Sequence, residues 1–306
     1  GIVFLSLLAL YITLNSSNID ATLPLLAIIA LAAQKLLPLF QQFYFAYTSI
    51  ESSYQSLIDV SEILDLETEK NLTDVKLDKF STNKSIEFKD VYFSYNQGKP
   101  VLKNLNFKIN FNNKIGLVGD TGSGKSTFMD LLMGLIKADS GKILIDGVEL
   151  DDSNINSWQN KISHVPQNIY ISNLTVYENI AFGCKKEDID LEKVHQCAKK
   201  AHINGLIESM DEQYETFLGE RGIKISGGEK QRIALARAFY RDFDIMTLDE
   251  ATSSLDNITE EKIINEIEQL DKNKTIFIIA HRITTIKNCD IILEFKDGKI
   301  INSGTY

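Results

Sequence analysis

The sequence is short of cysteine and of basic charge, and its first stretch is short of charge of either sign. Cys184, Cys197 and Cys289 stand far apart in 306 residues, and no two have the spacing of a metal-ligand pair. An odd, dispersed set does not suggest a disulfide framework and reads as small buried or indifferent thiols in a reducing compartment. Asp and Glu outnumber Lys and Arg by 42 to 32, for a net charge of -10. The backbone of duplex nucleic acid is gripped by clustered Lys and Arg, so no nucleic acid partner is expected. A nucleotide stays open, because it needs only a local positive field. Residues 1–50 hold one acid, Asp20, and one base, Lys35, so the whole net charge falls on residues 51–306. The chain opens at Gly1 on an apolar run with no initiator Met, no basic n-region and no small-residue cleavage site. A signal peptide is therefore not expected.

What is present first is apolar length. The opening run, GIVFLSLLALYITL, is shorter than the ~20 residues that cross a bilayer. It reads as a partial helix over 1–14, the tail of a membrane helix, and the sequence as a fragment of a longer protein. A polar stretch, NSSNID, precedes residues 21–40, ATLPLLAIIALAAQKLLPLF, which carry Lys35 as their one charge. That run has the ~20-residue length of a membrane span. Pro24 and Pro38 are compatible with a membrane helix whose neighbours satisfy the freed carbonyls. Lys35 is either a functional charge or one that snorkels to the interface. A full helix is expected over about 21–45, with the aromatic residues that follow forming an interfacial belt. Residues 1–48 thus read as the C-terminal part of a transmembrane domain. Residues 49–84 read as a helical extension ending near Leu66, then a polar, charge-dense, aperiodic linker.

From Ser85 the pattern changes. SIEFKDVYFSY, NLNFKIN and KIGLVG read as strands, and later short apolar runs (KILID, KISHV, DIMTLD, TIFIIA, DIILEF) alternate with helical stretches. This predicts an α/β domain over 85–306 with a largely parallel core and an antiparallel β edge. A helical subdomain is expected over about 169–240. No internal repeat is evident.

Gly119, Asp120, Thr121, Gly122, Ser123, Gly124, Lys125 and Ser126 follow a predicted strand, precede an apolar helix that starts with Thr127, and match the phosphate-loop pattern in full. Glycines there let successive N–H groups converge on phosphate oxygens, helped by the helix N-terminus. Lys125 would meet the β- and γ-phosphates and the Ser126 hydroxyl would ligate Mg²⁺, which makes ATP and Mg²⁺ the expected ligands. The run IMTLDE is an apolar strand ending in two acids. Asp249 can hold Mg²⁺ directly or through water, and Glu250 can polarise an attacking water. Ser226, Gly227, Gly228 and Glu229 open a second long helix, whose start can receive another anion. One γ-phosphate is already held by the first loop, so the second helix start points to the nucleotide of a partner. The alternative is an ordinary serine N-cap.

These motifs, in this order and at these intervals, strongly resemble the ATP-binding cassette transporters over residues 85–306. The resemblance implies a P-loop NTPase cassette that hydrolyses ATP as half of a dimer, with a homodimer expected and a heterodimer as the alternative. It implies that Tyr95 stacks on adenine and that Gln167 contacts Mg²⁺ and the attacking water. It implies that Asp256 links the two cassettes and that His281 touches the γ-phosphate. The other histidines (164, 195, 202) read as surface residues. Ile225 and Glu229 stand where the family usually has Leu and Gln. GERG at 219–222 is similar to the exporter subgroup, although Phe217 replaces the glutamate many exporters carry. Residues 32–57 resemble, more weakly, flippases of lipid-linked oligosaccharides and related lipid exporters. The implied setting is the cell (inner) membrane, multi-pass, with the cassette in the cytoplasm. The alternative cargo is a drug or peptide, and a soluble, non-transporting cassette protein is the competing class.

Overall fold

The computed structural model describes residues 7, 10–11, 19–65, 80, 84–95, 98–270, 273–280 and 282–306. The expected linker over 67–84 and partial helix over 1–14 lie for the most part outside these residues. The chain divides into two compact units, Gly1–Asn71 and Leu72–Tyr306.

The first unit contains one 46-residue helix, α1 (Ile19–Leu64), with Pro24 and Pro38 inside it. The expected helix over 21–45 and its extension are a single element. Phe43, Phe45 and Ile50 on α1 are each more than 70% exposed, at 72%, 78% and 71%. Among the described residues no helix is long and apolar enough to cross a membrane.

The strands of the second unit are β1 (Ser85–Phe93), β2 (Leu102–Asn110), β3 (Lys114–Gly119), β4 (Ser140–Ile145), β5 (Val148–Glu149), β6 (Ile162–Val165), β7 (Ile245–Asp249), β8 (Thr275–Ile279), β9 (Ile291–Lys296) and β10 (Lys299–Gly304). Its helices are α2 (Lys125–Leu132), α3 (Ile155–Gln159), α4 (Val176–Ile180), α5 (Leu191–Lys200), α6 (Asn204–Glu208), α7 (Gly227–Tyr240), α8 (Asn257–Glu268) and α9 (Ile283–Ile286). The antiparallel edge is a separate sheet, in the order β2-β1-β4-β5, and the main sheet runs β10-β9-β3-β8-β7-β6. In the main sheet β9, β3, β8, β7 and β6 are mutually parallel and β10 is antiparallel to β9. The buried runs of β7 and β8 suit central parallel strands covered on both faces.

Aromatic packing fixes the helix that follows the glycine loop. Phe128 on α2 lies 5.2 Å from Phe88 of the antiparallel sheet and 5.4 Å from Phe295 of the main sheet, ring centre to ring centre. One side chain thus ties both sheets to α2. The single Trp, Trp158, is fully buried on α3 and its Nε1–H donates to Leu132 O at 2.7 Å, satisfying a carbonyl at the end of α2. The helical subdomain has its own packing. Val176, Ile180, Val194, Ala198, Ile207 and Leu235 are fully buried. A capping box formed by Thr175 and Glu178 starts α4.

Candidate functional site

Parallel strands point one way, and ligands of such sheets sit beyond their carboxyl ends. β3 ends at Gly119, β7 ends at Asp249, and β6 leads through Pro166 to Gln167. The sheet therefore delivers three of the predicted motifs to one edge. His281 follows β8 in sequence and lies outside the described residues.

The loop at 119–124 keeps its shape through close backbone contacts. Gly119 has φ 139°, and a Cβ there would lie 2.2 Å from Phe295 O, so only glycine is accommodated. The turn between β9 and β10 braces the loop, because Gly298 N–H donates to Ser123 O at 3.1 Å. Asp120, Thr121, Gly122 and Ser126 are exposed, whereas Ser123, Gly124, Lys125 and Thr127 are buried. No acidic side chain occupies the first turn of α2, so its N–H groups face an anion without competition. The Lys125 ammonium donates to Gly119 O at 2.7 Å, Asp120 O at 2.9 Å and Ser123 Oγ at 3.4 Å. Burial lowers the Lys125 pKa, and the charges of Glu250, Asp249 and Asp120 oppose that shift. Tyr95 exposes 59% of its surface, stacks edge-on against Phe93 and places its hydroxyl 3.4 Å from Thr127 Oγ1. Its ring is open to a planar ligand beside the loop.

Burial raises the Asp249 pKa, and the charges of Glu250 and Asp130 add to this. The Ser126 hydroxyl, hydrogen-bonded to the carboxylate, and Lys125 oppose it. Asp249 Oδ1 is buried without a hydrogen-bond partner. Glu250 sits in the left-handed region at φ 50°, and its N–H donates to Ile279 O at 3.0 Å. Strained backbone of this kind persists where surrounding contacts hold it. Gln167 Nε2 donates to Glu250 Oε2 at 3.0 Å.

The second helix start is an N-cap. Ser226 Oγ accepts from Glu229 N, and Glu229 Oε2 accepts from Ser226 N at 2.7 Å, closing a capping box at the start of α7. Ser226 and Gly227 are nevertheless exposed, so the same helix start can also receive an anion. A Cβ on Gly228 would lie 3.1 Å from Ser254 O, so glycine permits close approach there. Asp256 is exposed and caps α8, accepting from Thr259 N at 3.0 Å, and this hydrogen bonding lowers its pKa.

One residue with a site role is not legible in the motifs. Gln231 is buried, and its Nε2 donates to Glu250 O at 3.3 Å and Ser253 Oγ at 3.1 Å, while its Oε1 accepts from Ser254 N at 3.0 Å. It ties α7 to the segment after β7. Gln231→Ala is expected to lower stability by about 1–3 kcal/mol, because it strands buried polar groups. Thermal melting of the variant measures this.

The three other histidines are each partly exposed and partly covered. His164 Nδ1 lies 2.8 Å from Thr247 Oγ1, and burial lowers its pKa. His195 packs against Tyr214 with ring centres 4.1 Å apart, and His202 faces Glu266 at 3.6 Å. Cys197 and Cys289 are buried free thiols and Cys184 is an exposed one.

The family profile described as "ABC transporter" matches residues 102–253. The chain is 37% identical over 267 residues to the ATP-dependent lipid A-core flippase of Saccharophagus degradans, an alignment covering 87% of this chain and 45% of that protein. It is 39% identical over 245 residues to the flippase of the same name from Escherichia coli (strain K12), covering 80% of this chain and 42% of the relative. The chain thus spans less than half the length of these relatives. Among solved structures, a bacterial Atm1-family ABC exporter with ATP bound superposes with a TM-score of 0.74 at 33% identity, over 82% of this chain and 44% of that one. With the profile lying across the glycine loop, Gln167, the second helix start and Glu250, the chain is a member of the ABC transporter family and carries its nucleotide-binding cassette.

Proposed function

We propose that residues 85–306 hydrolyse ATP as one of two paired cassettes, and that the whole protein uses this to flip or export a lipid or lipid-linked saccharide across the inner membrane. The observation that carries the ATP reading is the convergence of the glycine loop, Asp249, Glu250 and Gln167 at one strand edge. The lipid reading rests on the names of the flippase relatives and on α1, whose exposed apolar side chains need cover of their own. The domain division at about 48 and 84, the cytoplasmic side of the cassette and a homodimeric partner belong to this proposal.

In the reaction, the Tyr95 ring stacks on adenine and the N–H groups of residues 119–127 enclose the phosphates. Lys125 exchanges the loop carbonyls for β- and γ-phosphate oxygens. Glu250 takes a proton from a water that attacks the γ-phosphorus, with Gln167 holding both in line. The bond to the β,γ-bridging oxygen breaks, and ADP leaves with the electron pair. His281 is assigned to the γ-phosphate. Ser226, Gly227, Gly228 and Glu229 of a second copy close over that phosphate, and Asp256 links the two copies. Among the described residues no group of three or more His, Cys, Asp or Glu side chains is placed to hold a metal. Mg²⁺, which binds through few protein groups plus phosphate, fits the hard oxygens present, among them the unpartnered Asp249 Oδ1. Held by Ser126, Asp249 and Gln167, it would offset the charge on the phosphates.

The test is ATP turnover by the full-length protein in liposomes. A lipid-linked saccharide or lipid A precursor is expected to raise turnover several-fold above phospholipid alone. Stimulation by hydrophobic drugs or peptides instead would move the cargo to the alternative class, and a washed-membrane preparation without the protein would overturn the membrane setting.

A further inference from the structure

We infer that a cavity of ≈ 230 Å³ beneath the β7 strand end binds a small, neutral, largely apolar molecule, and that its occupancy adjusts Glu250 from behind. Leu248, Ile264, Ile267, Ile278, Ile279 and Cys289 supply its apolar lining. An apolar cavity of ~150 Å³ stays dry and accepts benzene, so this one has room for a bicyclic ring.

The charge of the ligand follows from the polar groups in the lining, which bind one another. Glu260 accepts from Thr252 at 2.9 Å and Thr285 at 3.1 Å and pairs with Arg282. Lys114 Nζ donates to Glu268 O at 3.3 Å, and Asn288 donates to Glu268 Oε1 at 2.6 Å. A charged ligand would have to break these pairs and leave buried charge behind, whereas a neutral one need not. Burial pushes the Cys289 thiol up to about 12, which keeps it neutral and makes occupancy non-covalent.

The link to Glu250 is geometric. Residues 250–253 also line this cavity. Glu250 N–H is anchored on Ile279 O, and its carbonyl accepts from Gln231. A molecule wedged between α8 and the sheet therefore presses on the backbone that aims the Glu250 carboxylate. This consequence for turnover rests on the ATP reading above, while binding itself does not.

Indole is the probe, followed by ligand-detected NMR on the whole chain with a non-hydrolysable ATP analogue at saturation to cover Tyr95. A dissociation constant on the order of 1 mM is expected, weakened about tenfold or more by Ile264→Trp, which fills the space. Ile264 is half-buried, so the larger ring can be accommodated. Cys289→Met also fills the space and is expected to act the same way, with thermal melting reporting the fold of both. Indole should also lower ATP turnover without changing KM for ATP, and not in the filled variants. Equal indole binding by native and filled chains, or none by the native chain, overturns the site. Binding with turnover unmoved overturns the link to Glu250, and absence of turnover without indole overturns the ATP reading instead.

Discussion

Glu250→Gln is expected to bind ATP as the native chain does and to lose hydrolysis by about 10²–10⁴-fold, the range for removing a general base. The substitution is nearly isosteric. The amide that replaces the carboxylate can still present an oxygen to Gln167 Nε2, which in the native chain donates to Glu250 Oε2 at 3.0 Å. The backbone at φ 50° is held by the Ile279 and Gln231 contacts and not by the carboxylate. What disappears is the acceptor for the water proton. In the proposed pair opening follows hydrolysis, so the variant should also accumulate as a closed, ATP-loaded pair on gel filtration. Phosphate release and ATP binding measured together check this, and undiminished release would remove Glu250 from the role.

Lys125→Ala is expected to act on binding. Lys125 is 7% exposed, and its ammonium already sits among three loop oxygens. Losing a buried charge partner of the phosphates costs about 2–5 kcal/mol, or roughly 30-fold to several-thousand-fold in affinity. Burial lowers the lysine pKa, and the charges of Glu250, Asp249 and Asp120 oppose that shift. Lys125→Arg should not restore affinity, since a planar fork does not fit where a compact ammonium meets two backbone carbonyls. Titration with a fluorescent ATP analogue checks both variants, and native affinity in Lys125→Ala would contradict the assignment.

Much of the cassette is legible in the sequence because its chemistry sits in contiguous runs. Residues 114–132 announce a strand, a tight loop and a helix through the glycine pattern and its apolar flanks, and β7 announces itself as an apolar run ending in Asp249. The strands that go unnoticed are β5, only two residues long, and β10, whose KIINSG lacks a clear alternation. Gln231 is silent because its value lies in three partners distant in sequence, all on the segment after β7. The contact of His164 with Thr247 of a neighbouring strand is silent for the same reason. Ser226 shows a different limit. The N-cap and anion readings look like rivals in the sequence, yet the observed capping box leaves the helix start exposed and does not exclude the anion.

In the proposed pair each nucleotide site is completed by a second copy. Ser226→Asp tests it without harming the fold, because Asp caps a helix as well as Ser. Its carboxylate would repel a γ-phosphate reaching α7. Ser226→Asp and Lys125→Ala should each be inactive alone. Mixed in equal amounts, half the pairs combine the two chains, and each such pair keeps one intact site of two, so ATP turnover should return to about a quarter of native. A mixture that stays at the floor of the single variants, or full turnover by Ser226→Asp alone, would contradict the shared site.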